Sequence, residues 1–555
     1  MRLLIFTSLF LITILFDSCS SRGKIKSHHI RAAQKINGLS FSREEIKTMK
    51  AYLNENKKGF DSMRALPLAY EVTPAIYFDP RPDNFQFKKR DQVSDWNFQD
   101  HVVLPATDEE IAFMTVAQLS TLIKQKKLTS TRLTNIYLTR IKKFKDTLSS
   151  VVTITEELAL KQAKQADEEI AQGKYRGPLH GIPYGIKDLF AVPGYKTTWG
   201  AEPYQNQVID EKAEVVRKLE EAGAVLIAKL TSGALARGDV WFGGKTKNPW
   251  DLKQGASGSS AGSASSTSAG LVAFSIGTET LGSILAPSTR CGVTGFRPSF
   301  GGVSRAGAMT LSWSMDKAGP ICRSAQDCAI VFDVIRGKNP AGEKDRAAMD
   351  YAFVFNPPDN LKKYKIGYTK ELFDVDSAKS GTNNAEAIKL LTELGAELKS
   401  MKLPDQVPYK VFDIILRAEA GAYFDELVRS HRERELSEQN PESRANSLRQ
   451  SRFIPAAEYL QANRHRKVLI EKFNAIMKDY DFIAVPSDGR NQSLLTNLTG
   501  HPAISIPTGL DKEGHPTSVI LIGNLYDDAP ILEAAYIIQQ ATDFEDKRPP
   551  FFYTK

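Results

Sequence analysis

Two stretches of this chain combine residue types suited to nucleophilic chemistry at a carbonyl. The first, Gly255 to Gly270, is sixteen consecutive residues drawn from Gly, Ala, Ser and Thr. The second, Gly277-Thr278-Glu279-Thr280-Leu281-Gly282-Ser283-Ile284, sets a glycine just before a serine and follows the apolar run Leu271 to Ile276. A turn at the end of a buried strand directs backbone N–H groups outward, and these are the donors an oxyanion requires. Ser283 is then the exposed nucleophile. A serine hydroxyl is weak at its free pKa and needs a base. His180 is the conventional candidate, but no Asp–His pairing accompanies it. Lys187 closes the apolar approach Gly181 to Ile186 and serves as a base only if burial holds it neutral; otherwise it is an ordinary surface lysine.

These residues need a rigid frame. A Gly/Ser window alone reads as a flexible linker, but this one is preceded by Asn248-Pro249-Trp250 and followed directly by an apolar strand. Small residues in a core permit close backbone approach and aim hydroxyls at one another. Around the window, helices alternate with strands. Thr115 caps a helix, and Leu133, Ile136, Tyr137, Arg140, Ile141 and Phe144 make one helical face. Glu156 to Ala171 is amphipathic. Val215 to Ala222 is helical, stops at Gly223 and leads into the strand Ala224 to Ala228. A similar unit recurs at Ala387 to Leu398, and later strands fall at Phe482–Val485, Ala503–Ile506 and Val519–Ile522. The alternation predicts an α/β fold: one large domain with a mixed central sheet covered by helices on both faces.

The chain has 555 residues, 42% hydrophobic and 25% charged, which excludes a disordered or fibrous chain. A net charge of +8, spread along the sequence, does not indicate a nucleic-acid partner. The apolar run Leu3 to Phe16 is too short to span a bilayer and reads as a signal-peptide core. Residues 1–19 end in Asp17-Ser18-Cys19, similar to a bacterial lipoprotein box although Asp17 departs from the pattern. The expectation is an exported chain, periplasmic or held in the cell envelope, touching membrane only through a lipid on Cys19. Cys291, Cys322 and Cys328 remain and read as buried thiols, with a Cys322–Cys328 pair as the alternative. Residues 20–110 form an accessory region and 111–545 the main domain, with a charged helical insertion at about 405–475 and a tail at 546–555. No metal site or nucleotide loop is evident, so no cofactor is expected.

At Arg176-Gly177-Pro178-Leu179-His180-Gly181-Ile182-Pro183, Lys187-Asp188, Gly258 to Ser263, Gly277 to Ile284, Cys291 to Pro298, Val303 to Gly307, Asn497 to Ala503 and Ile506 to Gly509, the chain closely resembles the amidase signature family. The motifs occur in the family's order and spacing over about 111–545. The resemblance implies an amidohydrolase with a Ser–cis-Ser–Lys triad and a serine acyl-enzyme. Ser283 is then the nucleophile, Ser259 the bridging serine after a cis Gly258–Ser259 bond, and Lys187 the base. The oxyanion donors are the backbone N–H groups of Thr280, Leu281, Gly282 and Ser283. The implied partner is a small-molecule amide, for a monomer or homodimer. Two positions depart from many relatives: Leu281 replaces glycine, and Leu285 replaces an arginine that makes a structural ion pair.

Three other readings compete. Gly258 to Gly262 fits G-x-S-x-G, which would make Ser260 the nucleophile of an α/β-hydrolase-like esterase. Ser314 to Lys317 fits S-x-x-K, without its companion motifs. The fold is also shared with the glutaminase-type subunit of a tRNA-dependent amidotransferase, a cytosolic role that export would preclude. His180 and His501 read as structural hydrogen-bonders.

Overall fold

A computed structural model describes residues 24–66, 68–374, 383–487 and 490–553. The signal-peptide and Cys19 expectations lie outside the described residues. The chain divides into two compact units, one ending at Val72 and one beginning at Thr73. The first holds helices α1 (Ser27–Asn37) and α2 (Arg43–Arg64). Gly38 ends α1 in the left-handed region at φ 64. Ser42 starts α2 with a reciprocal cap: its Oγ accepts from Glu45 N, and its own N donates to Glu45 Oε2 at 2.6 Å.

The second unit is built on an eleven-stranded sheet. In chain order the strands are β1 (Val151–Ile154), β2 (Pro183–Lys187), β3 (Val225–Leu230), β4 (Phe274–Glu279), β5 (Thr294–Arg297), β6 (Lys317–Cys322), β7 (Lys365–Tyr368), β8 (Glu397–Ser400), β9 (Phe482–Pro486), β10 (Ala503–Leu510) and β11 (Pro516–Gly523). They lie in the order β1-β3-β2-β4-β6-β5-β10-β11-β9-β7-β8. The sheet is mixed: β2 runs parallel to both β3 and β4, whereas β6 is antiparallel to β4 and β5. Every residue of β2, β3, β6 and β9 is buried, so both faces of the central strands are covered. This is the predicted α/β arrangement.

Helix α3 (Val116–Lys124) begins at Thr115, whose hydroxyl accepts from Gln118 N at 3.2 Å. The next helix, α4 (Ser130–Leu148), buries the predicted face, and α5 spans Glu156–Ala171. Residues 261–268 of the small-residue window form the fully buried helix α6 (Ala261–Ser268). A Cβ on Gly262 would sit 2.3 Å from Thr231 N and 2.4 Å from Ser150 O, so only glycine fits that crossing. The hydroxyls are spent on packing: Ser263 donates to Ile276 O at 3.1 Å and Ser265 to Lys247 O at 2.8 Å. The window is core, not linker.

Several boundaries differ from expectation. The strand expected at Leu271–Ile276 starts at Phe274, because Leu271, Val272 and Ala273 complete the turn out of α6. Residues 73–105 belong to the second unit and lie over it as a strap. The backbone N of Asp95 donates to Phe355 O at 2.8 Å, Trp96 stacks on Phe355, and Arg90 pairs with buried Asp527 at 2.5 Å. The expected C-terminal tail also packs: Phe552 is buried, and its carbonyl accepts from Arg140 Nη2 at 2.9 Å. Cys291, Cys322 and Cys328 are buried free thiols.

Candidate active site

β2 and β4 run parallel as neighbours, with Ile186 facing Ile276 in register. Their C-terminal ends therefore open at the same edge, where α/β sheets characteristically carry their sites. Lys187 ends β2, and Thr278-Glu279 ends β4. The segment before α6 passes this edge and contains a cis Gly258–Ser259 peptide bond.

Lys187 Nζ lies 2.7 Å from Ser259 Oγ, 2.8 Å from Thr278 Oγ1, 3.1 Å from Ser260 Oγ and 3.3 Å from Thr278 O. The lysine is fully buried among these oxygens. Burial pushes its ammonium well below the usual lysine range, and the carboxylates of Asp316 and Glu279, pulling upward, do not offset it. Adjacent Asp188 is committed elsewhere: its carboxylate pairs with Lys229 Nζ at 2.8 Å and accepts from Thr198 N at 2.9 Å.

The Ser260 hydroxyl donates to Thr278 O at 3.1 Å and accepts from Thr278 N at 3.2 Å. With its proton and a lone pair engaged, it is a structural partner of the lysine. The strand preceding it, Asp251–Gly255, is half-exposed and not the buried strand that a nucleophile elbow needs. Ser314 and Lys317 do not meet either. Ser314 Oγ donates to Glu419 Oε1 at 2.7 Å, while Lys317 Nζ donates to Met315 O.

Ser283 sits between β4 and helix α7 (Leu285–Cys291), and it is 8% exposed. Ser260 N donates to its carbonyl at 3.1 Å, which ties the turn to the Gly258–Ser259 segment. Gly282 turns the chain at φ 82, a left-handed conformation that favours glycine. Leu281 is 37% exposed.

Two carboxylates brace this turn. Glu279 Oε2 accepts from Ile284 N at 2.8 Å and Leu285 N at 3.0 Å, which satisfies the first donors of α7. Its Oε1 accepts from Arg297 Nη1 at 2.6 Å and Asn497 Nδ2 at 2.9 Å. Burial alone would raise this carboxyl, but Arg297 and the hydrogen bonds hold it down at about 2. Arg297 thus supplies the ion pair of Glu279, while Leu285 contributes only its amide. On the other side, Thr280 Oγ1 donates to Asp316 Oδ1 at 2.5 Å. Sequence reading missed Thr278, Glu279 and Asp316. Only their placement beside motif serines marked the first two, and nothing local marked Asp316.

The histidines lie outside this constellation. His180 packs beside Glu169, with Nε2 at 3.3 Å, and accepts from Arg176 N. His501 is buried against Phe473, with Nδ1 2.9 Å from Thr499 Oγ1; burial lowers its pKa to about 3. Among the described residues, no cluster of His, Cys, Asp or Glu could hold a metal ion.

A cleft of about 1130 Å³ opens beside the turn. Leu281 and Ser493 line it on the turn side, Val407 to Arg417 and Pro441 to Gln450 on the other.

The amidase family model matches residues 132–493, about two thirds of the chain, including Lys187, Ser259, Glu279, Ser283 and Asp316. The chain belongs to the amidase signature family. A glutamyl-tRNA(Gln) amidotransferase subunit from Carboxydothermus hydrogenoformans is 32% identical, covering 79% of this chain and 99% of that relative. The peptide amidase of Stenotrophomonas maltophilia superposes with a TM-score of 0.70 at 28% identity, covering 80% of this chain and 99% of its own. A bacterial aryl acylamidase has a TM-score of 0.68 at 21% identity and covers 78% of this chain, a likeness of fold. This amidase signature enzyme acts on carbon–nitrogen bonds.

Proposed function

We propose that the chain is an amidohydrolase that cleaves a linear carboxamide through an acyl-enzyme on Ser283. The observation that carries this reading is the buried Lys187 amine 2.7 Å from Ser259 Oγ. Ser283 Oγ attacks the amide carbonyl while its proton passes through Ser259 to neutral Lys187. The N–H groups of Thr280 to Ser283 receive the oxyanion. The lysine returns the proton through Ser259 to the nitrogen, the C–N bond breaks and the amine leaves. Water then repeats the sequence on the ester to release the acid. The cleft volume suits an acyl or amine group larger than a simple aliphatic amide, and Leu281 at its mouth replaces a glycine and limits bulk beside the carbonyl.

The 32% likeness to an amidotransferase component supports a second reading, in which the same site releases ammonia from glutamine for a tRNA-linked partner. The apolar segment Leu3–Phe16 followed by Cys19 favours export and the free-standing hydrolase. The two readings separate in one assay. Purified protein is offered primary amides, N-acyl amines and peptide amides, with ammonia or amine release measured against Ser283→Ala. Turnover without tRNA or added subunits supports the hydrolase; glutamine cleavage that appears only with both contradicts it.

A further inference from the structure

Phe78 lies in the strap, outside the residues matched by the family model. The Arg466 guanidinium sits over its ring, 3.4 Å from the centroid. Arg466 is 1% exposed. Its Nη1 and Nη2 donate to Ser314 Oγ and Ser314 O, both at 2.8 Å, and its Nε to Leu498 O at 2.6 Å. Ser314 in turn donates to Glu419, which also accepts from Ser312 Oγ at 2.6 Å. Ser312 N and Leu311 N donate to Asp316 Oδ2 at 2.9 and 2.7 Å. The other oxygen of Asp316 holds Thr280, the first residue of the oxyanion turn.

A second route leaves the same ring. Phe78 meets Phe300 edge-on at 5.2 Å, and Phe300 lies under the Arg305 guanidinium at 5.0 Å. Arg305 Nη1 donates to Trp313 O at 2.9 Å and Asp316 O at 3.2 Å. Two arginines, one over Phe78 and one over its neighbour, thus both donate to residues 313–316. An aromatic face over a buried guanidinium excludes water and leaves its donors aimed at their protein acceptors.

We propose that Phe78 and Arg466 are positioning residues for catalysis, coupling the N-terminal strap to the oxyanion turn through Ser314, Asp316 and Thr280. Loss of the ring hydrates Arg466, slackens its hold on Ser314 and lets Asp316 and Thr280 drift from the geometry that receives the oxyanion. The effect falls on acylation and not on substrate capture, since the cleft is lined by other residues.

This inference rests on the Ser283 acyl-enzyme reading, and a fluorophosphonate probe separates the two. Its labelling rate on full-length protein reports nucleophile and oxyanion turn together, and peptide mass mapping names the serine. Phe78→Leu is expected to slow Ser283 labelling about tenfold, and Phe78→Tyr, which keeps the ring, to restore it to within about threefold. Trp96→Ala is the control: it removes a strap aromatic that packs on Phe355 and is expected to change the rate less than about twofold, whatever its effect on the melting temperature. With an amide substrate, Phe78→Leu lowers kcat and leaves KM near wild type. Equal labelling of Phe78→Leu and wild type, or equal slowing by Phe78→Leu and Trp96→Ala, overturns the coupling alone. Labelling of wild type at a serine other than Ser283 overturns the functional reading and the coupling with it.

Discussion

Lys187 Nζ and Ser259 Oγ lie 2.7 Å apart although 72 residues separate them in sequence. The contact exists because β2 and β4 are neighbours and because α6, made only of small residues, packs close enough for the segment entering it to set Ser259 over the end of β2. Full burial pushes the lysine well below its usual range, and in the proposed reaction this pair relays the Ser283 proton.

Removing the base tests that path. Lys187→Met is expected to lower kcat/KM by about 10²–10⁴-fold, the usual worth of a positioned general base. Lys187→Arg should fare no better, since a guanidinium stays charged. Steady-state kinetics with an ester and an amide substrate check both.

The pH profile follows from the direction of the Lys187 shift. In the proposed mechanism the active form is the free amine, so kcat/KM should rise with pH through the folded-state pKa of Lys187, which lies well below 10.5. The profile should show one acid limb and full activity at pH values where an ordinary lysine is still protonated. A limb that stays near the ordinary lysine value would contradict the buried amine.

Glu279 links stability to acid. Its pKa is about 2 in the fold against a reference of 4.5. A depressed carboxyl stabilises above the unfolded value and loses that contribution as pH falls through the folded one. The window is therefore pH 4.5 to 2, and the contribution is about 3 kcal/mol for this fully buried group. Glu279→Gln should flatten the acid side of the stability curve and slow acylation by loosening Ile284 and Leu285. Urea melts at pH 3 and pH 7 measure the first effect.

Lys229 and Asp188 form a fully buried ion pair at 2.8 Å. Breaking it from one side leaves an uncompensated charge, so Lys229→Met should cost about 3–5 kcal/mol. The double change Lys229→Met with Asp188→Leu should recover part of that cost. Thermal unfolding of the single and double variants checks the difference.

Gly262 is a close backbone crossing in the helix that follows Ser259. Gly262→Ala would force backbone apart at Thr231 and Ser150. Overpacking of this kind costs about 1–3 kcal/mol. A lowered melting temperature with reduced activity is expected, since the displaced helix directly follows Ser259 in the chain.

Much of this was legible before any coordinates. The helical face from Leu133 to Phe144, the cap at Thr115 and the core character of residues 255–270 follow from spacing, capping chemistry and flanking residues. Motif resemblance paired Lys187 with Ser259, which spacing alone did not, because which strands become neighbours is a long-range property. The same reason hid Glu279–Arg297 and Asp316–Thr280: each is a contact between separate strands or loops, made after the sheet is assembled. Two adjacent serines, Ser259 and Ser260, are chemically alike in sequence. The cis bond before Ser259, its shorter contact to Lys187 and the Thr278 backbone bonds to Ser260 tell them apart. The strap was read as an accessory region without chemistry because Phe78 acts through Arg466, which is remote from it in sequence.

The central claim is a serine acylated with the help of an uncharged lysine. It is tested most directly by mapping the covalent adduct of a serine-directed phosphonate across pH in wild type and Lys187→Met. The account expects the adduct on Ser283, with a rate that falls on the acid side in a single proton step and loses that step in Lys187→Met. An adduct on Ser260, or a rate in wild type that ignores pH, would contradict it.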